Sequence, residues 1–190
     1  DAVDTDMRGE IKALALIGQE EKALDPDETR VITNILNLHD IQVKGVMTPR
    51  TVSVTVMPGM TVKEFDDQLG RSPFTRFPVM DGGEQALGYI HKADTYHADD
   101  DADLKTLMHS VQTIQAEDNV EQVFTMMVLG RQHLCVVYDD LGTWVGLITL
   151  EDIIETILGQ DIVDETDNVA NLRKYARQRW TKQLKRQETR

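Results

Sequence analysis

The sequence is poor in the features that would make it a disulfide-stabilised or membrane-spanning protein. It contains one cysteine, which excludes an internal disulfide. No apolar run approaches the ~18 residues that a membrane span needs. The first ten residues lack the basic and then apolar pattern of a secretory signal. What is present, 41% hydrophobic and 28% charged residues, is typical of a soluble globular chain with a sizeable core.

Positive charge is scarce except at the end of the chain. The net charge is −13, yet residues 173–190 carry +7, so the remaining body is strongly acidic. An acidic body argues against a general nucleic-acid binder, and a polyanion would need a local site with a divalent cation. The lone Cys135 lies in the apolar run LCVVY, which favours a buried strand and a cytosolic setting. The first residue is Asp rather than Met, which indicates a piece of a longer protein.

The sequence contains an internal repeat. When the chain is shifted by 58 residues, ALGYIHKAD falls on WVGLITLED and the polarity pattern agrees over about forty residues. Matching positions include Val79 with Val137, Asp81 with Asp139, Gly88 with Gly146, and Asp94 with Asp152. The repeat predicts two copies of one supersecondary unit, packed face to face because one copy has too little core to stand alone.

Each copy predicts the order β-α-β-β-α, so the fold class is α+β. In each copy a strand precedes a helix, two strands follow around a turn signal, and a second helix closes the unit. The predicted strands are 51–56 and 110–115, the predicted helices are 61–69 and 119–129, and the closing helices begin near Asp94 and Asp152.

Helices flank the repeat on both sides. Residues 6–24 predict an amphipathic helix, and a second follows with Asp25 as its N-cap, Pro26 in its first turn and Glu28 completing a capping box. Residues 168–186 predict a basic helix that faces solvent or a partner, with anionic lipid as the alternative. The predicted divisions are a helical hairpin with its linker, two repeat units and a basic tail, at 1–45, 46–104, 105–163 and 164–190.

Thr149 and Asp152 stand out in the second copy. If a helix begins near Leu150, a hydroxyl and a carboxylate project from its N-terminus. A carboxylate there can accept hydrogen bonds from a ribose diol, and the helix end favours anionic groups. The alternative is that Thr149 only caps the helix and Asp152 only complements its dipole.

Several motifs taken in order resemble a tandem CBS-domain (cystathionine β-synthase domain) pair. They are VMTP before the first unit, TRFPV within it and GLITLEDIIETILG in the second. The helical hairpin leading into VMTPR, and the run HLCVVYDDLGTWVGLITLEDIIETILG, resemble more narrowly the cytosolic part of the CNNM/CorC family, membrane proteins linked to magnesium transport. The resemblance covers roughly residues 10–165.

The resemblance implies a cleft between the two units that binds an adenine nucleotide, often as Mg-ATP, with ADP or AMP as alternatives. It places Asp152 on the ribose hydroxyls with Thr149 beside it, and it places Arg76 at the phosphates. Purines need flat apolar walls and phosphates need forked donors. The remaining implied contacts are Thr48 and Pro49 near the adenine, and Phe74, Thr75, Phe77 and Pro78 along the wall. The alternative for Phe74 and Phe77 is plain core packing.

The two copies are unequal. In the aligned repeat, His91 takes the place of Thr149, and Val136 takes the place of Pro78. We therefore expect one nucleotide site, at Thr149 and Asp152, although Asp94 leaves a second site open. The resemblance also implies a homodimer at the cytoplasmic side of a membrane, working for a transport domain that this chain does not include. After the pair only about thirty residues remain.

Other residue constellations predict no further chemistry. The five histidines show no ligand spacing among themselves or with Cys135, so no metal site on the protein is expected. The acidic run HADDDAD predicts a solvated linker, with weak Mg²⁺ contact as the alternative. We find no catalytic constellation and expect no enzyme. The alternative to a nucleotide-binding module is a ligand-free dimerisation module.

Overall fold

The computed structural model describes residues 2–159. Two helices come first, α1 (Ala2–Glu20) and α2 (Pro26–Asn37), and they confirm the predicted helical hairpin. They pack against each other, and Lys12 Nζ donates to Asn37 Oδ1 at 2.6 Å. The predicted basic helix at 168–186 lies outside the described residues.

The start of α2 follows its sequence signal. Asp25 Oδ1 accepts a hydrogen bond from the Glu28 N–H at 2.8 Å, and Glu28 Oε2 accepts one from the Asp25 N–H at 2.8 Å. This capping box satisfies two backbone donors that a helix end would otherwise leave unpaired. Further along α2, Asn34 donates to the Ile157 carbonyl at 3.0 Å, which ties the hairpin to the end of the second unit.

Each repeat unit forms around its own helix and its own hairpin of two strands. A short strand β1 (Thr48–Pro49) precedes the first unit, and a further strand, β4, begins the second. The elements of the first unit are α3 (Val62–Leu69), β2 (Arg76–Met80) and β3 (Ala86–His91); those of the second are β4 (Gln112–Gln115), α4 (Val120–Leu129), β5 (Leu134–Tyr138), β6 (Trp144–Thr149) and α5 (Leu150–Leu158).

The predicted strand at 51–56 is wrong. Residues 50–52 form a 3₁₀ turn, and Val56 makes a single bridge to Val79. The equivalent pair in the second unit, Ile114 and Val137, belongs to a parallel ladder of four residue pairs between β4 and β5. Pro58 and Gly59 follow Val56 after one intervening residue, and such residues start a turn rather than extend a strand.

The closing helix of the first unit is a 3₁₀ helix rather than an α-helix, and it begins at Lys92 rather than near Asp94. Residues Lys92–His97 form a 3₁₀ helix, whereas α5 in the second unit is α-helical over nine residues. The segment KADTYH lacks the apolar residues that IIETIL repeats at helical spacing. Without an apolar stripe to bury, a longer helix gains little from packing.

The segments that lead into the two units are exchanged between them. The first lead-in segment (residues 41–49) pairs with the second unit: Val43 N–H donates to the Asp118 carbonyl at 2.9 Å, and β1 pairs antiparallel with β6. The second lead-in segment (residues 102–110) pairs with the first unit in the same way, with Leu104 N–H donating to the Met60 carbonyl at 3.0 Å. Each unit is therefore completed by the lead-in segment of the other unit.

Two glycines permit this exchange. A Cβ on Gly146 would lie 2.4 Å from the Thr48 carbonyl oxygen, and a Cβ on Gly88 would lie 2.4 Å from the His109 carbonyl oxygen. The backbone of each lead-in segment therefore runs directly over a position that tolerates no side chain. Because Gly88 and Gly146 are equivalent in the repeat, the two crossings are also equivalent.

Three apolar clusters hold the molecule together. Phe65, Phe77 and Ile90 centre the core of the first unit, and Val137, Ile148 and Ile153 belong to the core of the second. A third cluster lies between the units and joins β2 and β3 to β5 and β6. Its buried members are Met80, Leu134, Val136, Trp144 and Leu147, and Tyr89 packs against them. The two sheets therefore face each other across a partly apolar interface.

A polar network reinforces that interface at the strand turns. Glu84 follows β2, and its Oε2 accepts a hydrogen bond from the Trp144 N–H at 2.6 Å. Arg50 Nη1 lies 2.9 Å from Glu84 Oε1, and its guanidinium carbon lies 4.7 Å from the centre of the Trp144 ring. Tyr138 Oη donates to the Glu84 carbonyl at 2.7 Å. The hydrogen bond from Arg50, followed by that from Trp144, holds the pKa of Glu84 below its usual 4.5.

Glu84→Gln is expected to lower the denaturation midpoint near neutral pH, and the loss is expected to fade in acid. Because the folded pKa of Glu84 is lowered, its carboxylate contributes fully above the unfolded value of 4.5 and loses that contribution as pH falls through the folded pKa. Urea denaturation of wild type and variant across pH measures the difference. Glu117→Gln, which removes an exposed partner of Lys44 away from the interface, is the control. A difference in denaturation midpoint that stays constant with pH would show that the stabilisation does not come from the Glu84 carboxylate.

Candidate functional site

Strand pairing places Thr48 and Thr149 on the surface of the second unit that faces the first. Thr48 lies opposite Leu147 in the antiparallel pair of β1 and β6, so the two side chains share a face. Thr149 lies two residues after Leu147 and takes the same face. Since Leu147 packs in the cluster between the units, both hydroxyl-bearing side chains are turned toward the first unit.

Strand β2 presents Arg76 and Pro78 from the opposite side. Phe77 and Val79 point into the core of the first unit, so their neighbours Arg76 and Pro78 take the other face. Pro78 lies opposite Tyr89, which packs in the cluster between the units. The structure therefore brings residues predicted from both copies onto two facing surfaces.

Thr149 and Asp152 form a capping box at the start of α5. Thr149 Oγ1 accepts a hydrogen bond from the Asp152 N–H at 3.1 Å, and Asp152 Oδ2 accepts one from the Thr149 N–H at 3.1 Å. The capping alternative is thus present in the molecule, and Asp152 is only 6% exposed. A carboxylate offers about four acceptor positions on two oxygens, so the cap and a ligand contact are compatible.

Arg76 presents a buried guanidinium donor on β2. Its Nε is buried and has no hydrogen-bond partner among the residues that the structure describes. A buried donor left unsatisfied is costly, and a phosphate oxygen would relieve that cost. Arg76 therefore has the chemistry to hold a phosphate oxygen, and its role at the phosphates stays a prediction.

Histidines lie near His91, the strand partner of Arg76, and the sequence assigned none of them to the site. His91 lies opposite Arg76 in the β2–β3 pair. Burial, and then the Arg76 guanidinium, lower the pKa of His91; His109 and His133 act in the same direction and Asp94 opposes them. His133 belongs to the second unit, where its carbonyl accepts from the Leu150 N–H at 3.2 Å. Basic groups thus gather where the two units meet.

The remaining predicted residues divide between the site and the core. Phe77 is wholly buried, with its ring centre 5.0 Å from that of Phe65 and 6.5 Å from that of Phe74. This placement favours the core-packing alternative for Phe77, while Phe74 remains half-buried at the edge of the same cluster. Pro49 lies opposite Gly146, and Thr75 is exposed, with its carbonyl accepting from the Lys92 N–H at 2.8 Å.

Residues 2–159 show neither clustered metal ligands nor a membrane-spanning helix. No group of three or more histidine, cysteine, aspartate or glutamate residues is arranged to hold a metal ion there. Within the same range, no helix combines the length and apolar character needed to cross a bilayer.

Comparisons with known proteins agree with this architecture. Residues 103–159 match the family model of the CBS domain. The chain is 30% identical over 175 residues to the UPF0053 protein sll1254 of Synechocystis sp., covering 90% of this chain and 50% of that protein. It is 27% identical over 174 residues to the magnesium and cobalt efflux protein CorC of Buchnera aphidicola, covering 88% of this chain and 60% of that protein. The chain thus spans about half to three-fifths of the length of these relatives.

Solved structures give the same result. The CBS domain of a bacterial CNNM/CorC family Mg²⁺ transporter superposes with a TM-score of 0.74 at 25% identity, covering 80% of this chain and 95% of that one. The CBS domain of a bacterial CNNM/CorC family Mg²⁺ transporter in complex with ATP superposes with a TM-score of 0.66 at 25% identity, covering 70% and 99%.

The duplicated units and facing sheets give the chain the fold of a CBS-domain pair, and residues 103–159 match the CBS-domain family model. Within that class it resembles the CBS region of the CNNM/CorC family of Mg²⁺ transporters, including the CorC efflux proteins, as the sequence motifs predict.

Proposed function

We propose that the chain is the cytosolic regulatory module of a membrane protein that transports Mg²⁺ or another divalent cation. In this proposal an adenine nucleotide, ATP with Mg²⁺ or else ADP or AMP, binds between the two units. The resemblance to CorC proteins supports the transport assignment, and the similar CBS domain in complex with ATP supports the ligand. Regulation requires that the nucleotide bind one arrangement of the units more tightly than another.

The observation that carries the proposal is the convergence of Thr48, Thr149 and Arg76 on facing surfaces. These side chains come from β1, β6 and β2, and no single segment of sequence contains them. Two hydroxyls lie beside a helix N-terminus, and the guanidinium of Arg76 has a buried Nε that finds no partner within residues 2–159. This combination suits a ligand with a diol at one end and anionic oxygens at the other.

Each residue then has a role that its chemistry allows. Asp152 accepts from the ribose hydroxyls, and Thr149 lies beside it at the start of α5. Thr48 and Pro49 border the adenine, with Phe74, Thr75 and the non-polar ring of Pro78 along its wall. Arg76 donates to phosphate oxygens, and Mg²⁺ offsets the phosphate charge against the acidic body.

Calorimetric titration of ATP into the 190-residue chain, with and without Mg²⁺, tests the proposal. We expect micromolar binding that strengthens with Mg²⁺. If ATP, ADP and AMP at millimolar concentration all fail to bind in this titration, the chain functions only as a dimerisation module.

Arg76→Gln is expected to weaken ATP binding by about tenfold while changing AMP binding much less. Loss of a charge-assisted hydrogen bond is worth roughly 1.5–3 kcal/mol, and ATP places more anionic oxygens near the guanidinium than AMP does. Parallel titrations of the two nucleotides give the ratio. Arg71→Gln, at an exposed position ahead of β2, is the matched control. An equal loss of affinity for ATP and AMP would mean that Arg76 does not contact the distal phosphates.

The second candidate is a dimerisation module that binds no ligand. The capping box favours it, because Thr149 and Asp152 already have a structural task. Both candidates include a homodimer, and Val128 and Leu129 at the end of α4 leave apolar surface, 51% and 80% exposed, that a second copy would cover. Nucleotide binding therefore discriminates the two functions, whereas oligomeric state does not.

A further inference from the structure

Helix α1 carries an apolar face that residues 2–159 leave open to solvent. Met7, Ile11 and Leu14 recur at the i, i+4 and i+7 spacing of one helix face, and they are 57%, 44% and 70% exposed. Ile17, 53% exposed, lies three residues beyond Leu14 and extends the surface along the helix. These four residues are the apolar face of α1. A contiguous apolar surface, unlike a single exposed side chain, marks a contact with another surface.

The other side of α1 packs on α2 and holds the basic residues of the helix. Arg8, Lys12 and Ala15 recur at the same spacing on this side, and Ala15 is buried. Arg8 Nη1 donates to the Leu36 carbonyl at 3.4 Å. Lys12 likewise donates to Asn37 at the end of α2. The two basic side chains of α1 are therefore engaged away from its apolar face.

The charge on the apolar face is negative. Glu10 is exposed, and it lies four residues before Leu14 and seven before Ile17, so its carboxylate shares their side of the helix. An occupant of this face must therefore bury apolar side chains and also supply positive charge.

The described chain ends beside this hairpin. At the end of α5, Asn34 donates to the Ile157 carbonyl at 3.0 Å, and Arg30 Nε donates to the Leu158 carbonyl at 3.4 Å. Both donors belong to α2, which packs on α1. Residues 160–190 follow from that point, and half of such a segment spans roughly 50 Å when extended. With its 19 residues α1 is about 28 Å long, so its whole apolar face is within reach.

The remaining sequence has the chemistry that the apolar face requires. Residues 173–190 carry a net charge of +7. Apolar residues recur at every fourth position of the predicted basic helix, which is typical of an amphipathic segment; they are Leu172, Ala176, Trp180 and Leu184. An apolar stripe among basic residues complements an apolar face that carries a carboxylate.

We propose that residues 168–186 dock on the apolar face of α1 in the same chain. Removal of the two apolar surfaces from water drives the contact, and the basic residues lie beside Glu10. Because the segment is joined to α5, its effective concentration at α1 is about millimolar, so a modest contact suffices. The contact involves no nucleotide, so it is independent of the proposed function.

Acrylamide quenching of tryptophan fluorescence in the 190-residue chain tests the proposal. The chain has two tryptophans, and Trp144 is only 7% exposed, so the quenchable signal comes mainly from Trp180. Trp180→Phe gives the signal of Trp144 alone. We expect Trp180 to be shielded in wild type at every protein concentration. Leu14→Asp should lower the ratio of docked to free segment by about tenfold, the effect of losing one buried leucine, and should expose Trp180 to the quencher.

Two further variants separate docking on α1 from other causes of shielding. Glu10→Lys places a positive charge on the apolar face and should also expose Trp180. Leu129→Asp introduces the same residue as Leu14→Asp at an 80% exposed position at the end of α4, and it should leave Trp180 shielded. Circular dichroism and a denaturation midpoint establish that each variant is folded.

The outcomes distinguish the possible occupants. Shielding that Leu14→Asp and Glu10→Lys reduce, and that Leu129→Asp preserves, supports docking on α1. A wild-type Trp180 as quenchable as a free tryptophan derivative would overturn the proposal, and shielding that appears only with phosphatidylserine vesicles would assign the segment to anionic lipid instead. Shielding that weakens on dilution, or that only Leu129→Asp abolishes, would assign it to a second copy of the chain.

Discussion

Asp152→Ala is expected to weaken Mg-ATP binding by about 100-fold while the protein remains folded. In the proposed complex its carboxylate accepts two hydrogen bonds from the ribose, and losing charge-assisted bonds of this kind is worth roughly 1.5–3 kcal/mol each, so 100-fold is a conservative expectation. The same substitution removes the acceptor for the Thr149 N–H and is expected to cost about 1 kcal/mol of unfolding free energy. Calorimetric titration measures the first effect and urea denaturation the second.

Asp25→Ala is the matched control for Asp152→Ala. Asp25 makes a capping box of the same design at the start of α2, a helix that precedes both repeat units. It should lose a similar amount of stability and no nucleotide affinity. If both variants lose only stability, Asp152 is a cap and the chain is a ligand-free dimerisation module. Asp152→Asn adds a further comparison, because it keeps the size of the side chain and removes its charge.

Gly146→Ala is expected to lower the unfolding free energy by about 1–3 kcal/mol, the usual cost of forcing extra atoms into a packed region. Its Cβ would lie 2.4 Å from the Thr48 carbonyl oxygen and 3.1 Å from Met47 Sδ. The backbone of β1 would have to move, and Thr48 would move with it, so nucleotide affinity should fall as well. Urea denaturation and calorimetric titration measure the two losses.

Gly9→Ala provides the control for the added methyl group. A Cβ on Gly9 meets nothing within 4 Å, and Gly9 lies within α1. There the change from glycine to alanine is expected to stabilise the helix by up to about 1 kcal/mol. Equal behaviour of the two variants would mean that the first lead-in segment is not held tightly against β6.

Local sequence signals predicted most of the secondary structure. Asp25, Thr61 and Asn119 each cap the helix that follows them. In each case the side-chain oxygen accepts a hydrogen bond from the backbone N–H three residues later. Asp81 and Asp139 begin equivalent turns by accepting from backbone donors two and four residues later. Such contacts span a few residues, so they can be predicted from adjacent letters.

The candidate site was predicted only in part. Thr149 and Asp152 could be located because they belong to one strand–helix junction that the repeat marks. Phe77 looked equally suited to a ligand wall or to a core, and its place was decided by the face of β2 that packs on Phe65. His109 could not be placed from the sequence, because the gapless repeat does not align its pairing with Tyr89.

The sequence by itself determined that the chain is a duplicated α+β unit preceded by a helical hairpin, since repeats, caps and apolar spacing act over short distances. Tertiary structure decided that the lead-in segments are exchanged, that Thr48 and Thr149 share one face of the second unit, and that His109 pairs with Tyr89. Those arrangements depend on which backbone edges pair and which strand faces are buried. Edge pairing joins residues far apart in the chain, and only the packed molecule brings them together.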